Sequence, residues 1–376
     1  MALKARAACF LWVTIVIGLV LCSLPAVVSG SSVLVVDDHS FASVRGETLP
    51  HHRSSSRLLL ADGGSSGGPP GSTGGHEAPT VEDIQACPLI FASFLATRPD
   101  GWKRKRGERC NGCHKSPAWI TFASAKVVHP EACTAIITDT GTAFDAGDKI
   151  DAKTFVLRYE IIDGSKIGTP DLMHERMKGY RAFLQQAFKE KWNANLVMLD
   201  SDTVVIDKIT ELFARRGYDY GLTARKNPGM PVQGGVQFVR SDGYQRAAEF
   251  LGHVLAGWET RNAAAKKAGG RVSERGFGFT NDQRAYGESI GNVRAINVSL
   301  NKKGGALFTA KDGGYKVFVL PADMWNRTPS GAGSTLKRER TRILHYKGGR
   351  KDSMHTAYNA LKKGGTAAVH ALKSVK

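Results

Sequence analysis

Cysteine is scarce in this sequence: there are six in 376 residues, and only Cys87, Cys110, Cys113 and Cys133 lie beyond the first thirty positions. Cys110 and Cys113 form a C-x-x-C pair with His114 beside it, yet no second pair completes the usual spacing of a structural zinc module. In an oxidising compartment an even number of cysteines favours two disulfides over that zinc site, with the pairing left open. Acidic residues are also few, 34 against 52 Lys and Arg, so the chain carries a net charge of +18 and attracts polyanions. A nucleic-acid partner is not expected, because no recognition motif for one appears and the N-terminus directs the chain elsewhere. Acidic glycans are the polyanions this charge would suit. Missing too is any pair of carboxylates with hydrolase character.

What is present begins with a leader. Residues 1–30 place Lys4 and Arg6 ahead of an apolar stretch from about Ala7 to Val28, the composition of a secretory signal. Val28, Ser29 and Gly30 could form a cleavage site, and the stretch is equally long enough to cross a bilayer as a helix. Retained as an anchor, it leaves the N-terminus in the cytoplasm and the rest in the lumen. A Golgi or other secretory-pathway membrane is therefore the expected location, with secretion as the alternative. Residues 31–85 lack periodicity and include Gly63 to Gly75, "GGSSGGPPGSTGG", a disordered Gly/Ser/Pro stem. A folded domain is expected over 86–351 and a basic tail over 352–376. Asn297 and Asn326 stand in N-x-S/T triplets, which are glycosylation acceptors in form.

From Cys87 onward the sequence alternates short β-prone runs, 88–95, 134–140, 154–162 and 195–199, with helical patterns before the second and fourth. That order predicts an α/β fold with a mainly parallel central sheet and helices on both faces. Met173, Met177, Tyr180, Leu184, Phe188 and Trp192 recur every three or four residues, the stripe of a helix packed on the sheet. Between the first strand and the next helix, "KRKRGER" (Lys103 to Arg109) is a basic loop, solvated or binding an anionic substrate.

The run Asn195 to Ile206, "NLVMLDSDTVVI", ends a buried strand in two aspartates. They fall at the carboxyl end of the fourth strand, where open α/β sheets bind ligands. Asp200 and Asp202, two apart in extended chain, point their carboxylates to one side and repel unless a cation lies between them. Oxygen ligands of this kind suit Mg²⁺ or Mn²⁺, and the ion can bridge to the phosphates of a nucleotide. The plainer alternative is that the two aspartates organise a turn.

"LVMLDSDTVV" closely resembles the D-x-D strand of glycogenin and its relatives, the retaining glycosyltransferases of family eight. Three further pieces follow in that family's order. "VQGGVQFV" (Val232 to Val239) resembles its N-x-G-V strand on the acceptor side, with Gln233 where the family has Asn. "NDQ" (Asn281 to Gln283) matches its D-Q pair, and "HYKGGRK" (His345 to Lys351) fits H-x-x-G-x-x-K. "VFVLPADMWN" is similar to the family's Leu-Pro segment, whereas Asp352 and Ser353 stand where the family commonly has Pro-Trp.

The resemblance implies a GT-A type fold and a hexosyltransferase that moves a sugar from a nucleotide-sugar, commonly UDP-linked, to a glycan or glycoprotein. It implies Mn²⁺ (or Mg²⁺) on Asp200, Asp202 and His345, with Ser201, Gly348 and Lys351 at the donor diphosphate. Arg181 falls where the family carries a basic donor-binding residue, with Arg176 and Lys178 as rivals. Asp282 and Gln283 match residues beside the reacting sugar, although Asn281 or Asp282 could instead cap a helix. Gln233, Gly234 and Gly235 would face the acceptor, and the two glycines could equally make a bend or bulge. A catalytically inactive relative that binds glycans or polyanions is the alternative from another functional class.

Overall fold

The computed structural model describes residues 80–96, 117–142, 153–163, 172–227, 231–267, 281–291, 296, 304–329 and 340–372. The leader, most of the stem, the loop with Lys103 to Arg109, and Cys110, Cys113, His114 and Asn297 lie outside the described residues.

Eight strands form one sheet in the order β3-β2-β1-β4-β7-β6-β9-β8. The first four are β1 Leu89–Phe94, β2 Cys133–Thr138, β3 Thr154–Arg158 and β4 Asn195–Leu199, mutually parallel as the alternating pattern predicts. β7 (Val232–Val239) runs antiparallel to both β4 and β6 (Tyr220–Ala224), so β6 points the same way as β4. β9 (Lys316–Pro321) is parallel to β6, and β8 (Ala306–Thr309) closes the edge antiparallel to β9. Separately, β5 (Thr203–Val205) pairs antiparallel with β10 (Ile343–His345).

Strand periodicity divides the core into two layers. Ile90, Ala92, Leu196 and Met198 face one side with α3 (Leu172–Lys189), α5 (Tyr244–Lys267) and α6 (Asn281–Ile290). Leu89, Phe91, Val197 and Leu199 face the other with α2 (Pro117–Val128), α4 (Glu211–Ala214) and α7 (Ala322–Trp325). Apolar side chains on both faces of β1 and β4 are the reason those strands read as unbroken apolar runs. The α/β expectation with helices on both faces is met. Among the described residues no helix is long and apolar enough to span a membrane.

The stripe on α3 packs as expected at Met177, Tyr180 and Leu184, all fully buried, with Met173 at the core's edge. Phe188 does not: it is 52 % exposed. Phe188 sits in the last turn, for the helix ends at Lys189 and the chain leaves it through Lys191 with a left-handed φ of 55°. Trp192 still reaches the core from beyond the helix, its ring 5.5 Å from Phe183.

Both ends of the domain lie further out than the sequence suggests. α1 (Val81–Gln85) begins in a capping box between Thr80 and Asp83 and buries Ile84 completely. Two residues later Cys87 is disulfide-bonded to Cys133, which joins the starts of β1 and β2. Beyond Lys351, α8 (Ser353–Ala371), bent at Gly364 and Gly365, packs Met354, Ala357 and Leu361 against β5 and β10. Most of the expected tail is thus part of the folded domain, held by apolar contacts that its basic composition hides.

One buried histidine makes stability pH-dependent. His129 follows α2, lies 1 % exposed, and accepts the Ile209 N–H at Nε2 (3.3 Å). Burial pushes its pKa down, against the opposing pull of Glu131. A protonated ring has no lone pair for Ile209. Because the folded pKa is depressed below the unfolded value near 6.5, the protonated ring is favoured in the unfolded state, and stability falls as pH drops below that value. The unfolding midpoint should decline below about pH 6.5 in the parent and less steeply in His129→Gln; parallel declines would show that other groups set the acid limit.

Candidate active site

Every element that ends at the carboxyl edge of β4 and β6 contributes to one cluster. Asp200 follows β4, Thr223 lies near the end of β6, and Asn326 follows β9 through α7. The antiparallel β7 begins at the same edge, which brings Gln233, Gly234 and Gly235 beside them. His345 ends β10 and meets the aspartates because its partner in register is Thr203.

The Asp200–Thr203 segment is a turn, not the extended chain the two-residue spacing suggests. Backbone and hydroxyl bonds fix it. Asp200 N–H donates to Gly235 O (2.8 Å), Thr203 Oγ1 to Asp200 O (3.0 Å), and Tyr346 N–H to Asp202 O (2.8 Å). From α2, Thr121 Oγ1 lies within hydrogen-bond reach of the carbonyls of Ser201 (2.9 Å) and Thr203 (2.8 Å). The carboxylates converge all the same. His345 Nε2 lies 3.0 Å from Asp202 Oδ1 and 3.4 Å from Asp200 Oδ2. One donor atom from each of the three residues lies within 4.8 Å of the others.

Those residues fit a divalent cation. Two carboxylate oxygens and an imidazole nitrogen are a mixed donor set that suits Mn²⁺ better than the purely oxygen-seeking Mg²⁺. Gly235 keeps the space open, for a Cβ there would lie 2.5 Å from His345 Cε1 and 2.7 Å from Asp200 Oδ2. Lys351 Nζ is 3.2 Å from Asp202 Oδ2 at the partly exposed rim. Burial tends to raise the Asp202 carboxyl, but the His345 hydrogen bond and Lys351 more than offset it and hold the group below the usual range. Gly348 has φ +62° in open space, a backbone conformation that glycine tolerates best.

Beside this cluster lies a buried ion network. Arg176 of α3, 5 % exposed, donates through Nη1 to Asp200 and through Nη2 to Asp282 Oδ2 (2.5 Å). Asp282 is therefore a buried partner of Arg176. Burial raises its pKa in spite of that guanidinium. Gly234 is constrained as tightly as its neighbour: a Cβ would lie 2.5 Å from Asp282 Oδ2 and 3.0 Å from Arg176 Nη2. The pairing of β6 with β7 shifts register between Leu222 and Thr223, so β7 bulges between Gln233 and Gln237, and Gln237 Nε2 holds the Gly234 carbonyl at 2.6 Å. Bulge and close approach are thus one feature. Among the described residues Gln233 Oε1, Asp282 Oδ1 and Gln283 Oε1 are buried without a hydrogen-bond partner, three acceptors beside the cluster that a ligand could meet.

Arg181 does not reach this site. Its guanidinium lies against α5, where a Cβ on Gly252 would be 3.0 Å from Cζ. Arg176, more than one helical turn earlier, takes the position between the aspartates. Asn326 was missed by sequence reasoning. It is 1 % exposed, and its Oδ1 lies 2.8 Å from His345 Nδ1, so in the folded chain its amide is no glycosylation acceptor. Its place at the end of "LPADMWN" was the available signal, masked by the N-x-T triplet.

No family model and no curated protein matches the chain. Among solved structures it is similar to the galactosyltransferase LgtC in complex with donor and acceptor sugar analogs, at 12 % identity over 77 % of this chain and 98 % of that one, TM-score 0.37. It is also similar to a glycosyltransferase involved in glycosylation of the major capsid of PBCV-1, at 14 % identity over 71 % and 98 %, TM-score 0.36. Likenesses this distant leave the chain's own side chains to decide what the site does.

Proposed function

We propose that this chain is a metal-dependent, anomer-retaining glycosyltransferase of GT-A type, which transfers a sugar from a nucleotide-sugar to a glycan or glycoprotein in the secretory lumen. The observation that carries the reading is the convergence of Asp200, Asp202 and His345 at the carboxyl edge of the sheet, directly beside the Arg176–Asp282 pair. Mn²⁺ (or Mg²⁺) on those three ligands supplies Lewis-acid stabilisation of a departing diphosphate. Lys351 adds a positive charge at the rim, and the turn at Gly348 follows close by in the chain. Arg176 fixes Asp282 next to the space where the sugar would lie, and Gln283 offers an unpaired acceptor to it. Gln233 does the same from the acceptor side.

Arg176 holds Asp282 Oδ2 while Oδ1 stays without a partner, and this reading asks for no carboxylate nucleophile beneath the sugar. Front-face transfer needs none, since the leaving diphosphate can take the acceptor's proton. The leader and stem support a membrane-held lumenal enzyme, and the absence of Mn²⁺-dependent turnover with any nucleotide-sugar would favour the inactive, glycan-binding alternative.

The test is a screen of UDP- and GDP-sugars for Mn²⁺-dependent transfer, followed by NMR of the first-formed product. An α linkage from an α-linked donor is expected. A β linkage would overturn retention while leaving the metal site standing.

A further inference from the structure

We propose that Asn326 is a positioning residue that fixes the tautomer of His345 and so makes its Nε2 a metal ligand; the proposal rests on the metal-site reading above and deepens it. Three hydrogen bonds run in series through buried side chains. Thr223 Oγ1 donates to the Gln233 carbonyl (3.3 Å), Asn326 Nδ2 donates to Thr223 Oγ1 (2.8 Å), and Asn326 Oδ1 faces His345 Nδ1 (2.8 Å). Thr223 is fully buried and Asn326 is 1 % exposed.

A hydroxyl has one hydrogen, and the direction of the series follows from where it goes. The Gln233 carbonyl can only accept. With the Thr223 hydrogen committed to it, Thr223 offers only a lone pair to Asn326. Asn326 must meet that lone pair with its NH₂, and its carbonyl oxygen then faces the imidazole. His345 Nδ1 is therefore the N–H nitrogen, and a neutral ring presents the Nε2 lone pair to the space shared with Asp200 and Asp202.

The opposite polarity is the informative contrast. It would turn the Thr223 hydroxyl from Gln233 to Asn326, place the Asn326 NH₂ on Nδ1, and aim an Nε2–H at the aspartates. The three side chains would then satisfy one another and offer a cation no imidazole ligand. Which polarity holds is set by a backbone carbonyl on β7, some distance from the metal position, in the same bulged segment that holds Gly234 and Gly235. Partners that orient a ligating imidazole typically affect metal affinity by about 10- to 100-fold.

The experiment uses the full chain, with Mn²⁺ alone as the probe and free Mn²⁺ read by electron paramagnetic resonance. Asn326→Leu removes the acceptor and should weaken Mn²⁺ binding about 10- to 100-fold. Asn326→Asp restores an acceptor for Nδ1–H, with the Thr223 hydrogen turned from Gln233 to its second oxygen, and should return affinity to near the parent's. Long-range ¹H–¹⁵N spectra of the metal-free parent, labelled at histidine nitrogen, should show a proton on His345 Nδ1, whether or not Nε2 also carries one toward Asp202 while no cation is bound. A ring with no proton on Nδ1, or a folded Asn326→Leu chain with parental affinity, overturns the proposal. If Asn326→Leu does not fold, the tautomer in the parent decides alone. Should Asp202→Asn also bind Mn²⁺ like the parent, the metal-site reading itself has failed; if only Asn326→Leu does, the failure is confined to this inference.

Discussion

Asp202→Asn should lower Mn²⁺-dependent sugar transfer by at least about 10²- to 10³-fold, the usual scale for losing one preorganised electrostatic contact, and by more if the ion is lost altogether. The substitution changes charge at nearly constant volume. It leaves untouched the bonds that shape the turn, which run from Thr203 Oγ1, Tyr346 N–H and Thr121 to backbone carbonyls. What it removes is the carboxylate that lies 3.0 Å from His345 Nε2 and 3.2 Å from Lys351 Nζ. Circular dichroism should therefore be unchanged while Mn²⁺ titration loses its effect on turnover. Near-parental turnover in this variant would remove the metal site from the account.

Arg176→Met should cost roughly 3–5 kcal/mol of stability, the range for breaking one partner out of a buried ion pair. Arg176 keeps its charge through its proximity to Asp200 and Asp282, which outweighs the burial that would lower its pKa. Without it, Asp282 is a carboxylate among buried groups such as Tyr286, and burial drives its already raised pKa further up. The sign with pH follows. In strong acid Asp282 is protonated in both the folded and unfolded states, and its share of the deficit vanishes. Above the unfolded value near 3.9 both proteins must hold a proton that the unfolded chain releases, and once pH passes the parent's own raised folded pKa only the variant still holds it, so the deficit grows from there. Urea unfolding of parent and variant at mildly acid and mildly alkaline pH measures this directly. A deficit of the same size at both, or no recovery on adding Asp282→Asn, would mean that Arg176 acts by packing alone.

Sequence periodicity carried the parallel half of the sheet because β1 and β4 are buried on both faces and leave an uninterrupted apolar signal; β4 spans the expected Asn195 to Leu199. The trio that could hold a cation was legible from D-S-D and H-Y-K-G-G-R-K, whose spacing survives in the chain whatever the packing. Choosing between Arg176 and Arg181 required knowing which face of α3 turns toward the sheet edge. That rotation is set by the contacts of Met177, Tyr180 and Leu184, which Phe188, in the last turn of the helix, does not share. Asn326 was hidden for a different reason: a buried carboxamide and a surface sequon have the same letters. The last helix could have been found from Met354, Ala357 and Leu361, three or four residues apart, had the basic residues around them weighed less.

The ribbon of β5 and β10 gives this site a place in time as well as in space. It joins Val205 to Ile343, so the aspartates and their histidine come together only when segments far apart in the chain close on each other. Non-local pairings of this kind form late, since loop closure must precede the contacts that stabilise it. During synthesis both aspartates emerge well before His345. A cation that needs all three ligands would therefore bind only the finished fold, and its presence would stabilise the native chain in proportion to RT ln(1 + [L]/Kd) without affecting any earlier intermediate. A chain cut before Ile343 would keep the D-x-D strand and Arg176 yet lack the element that turns them into a site.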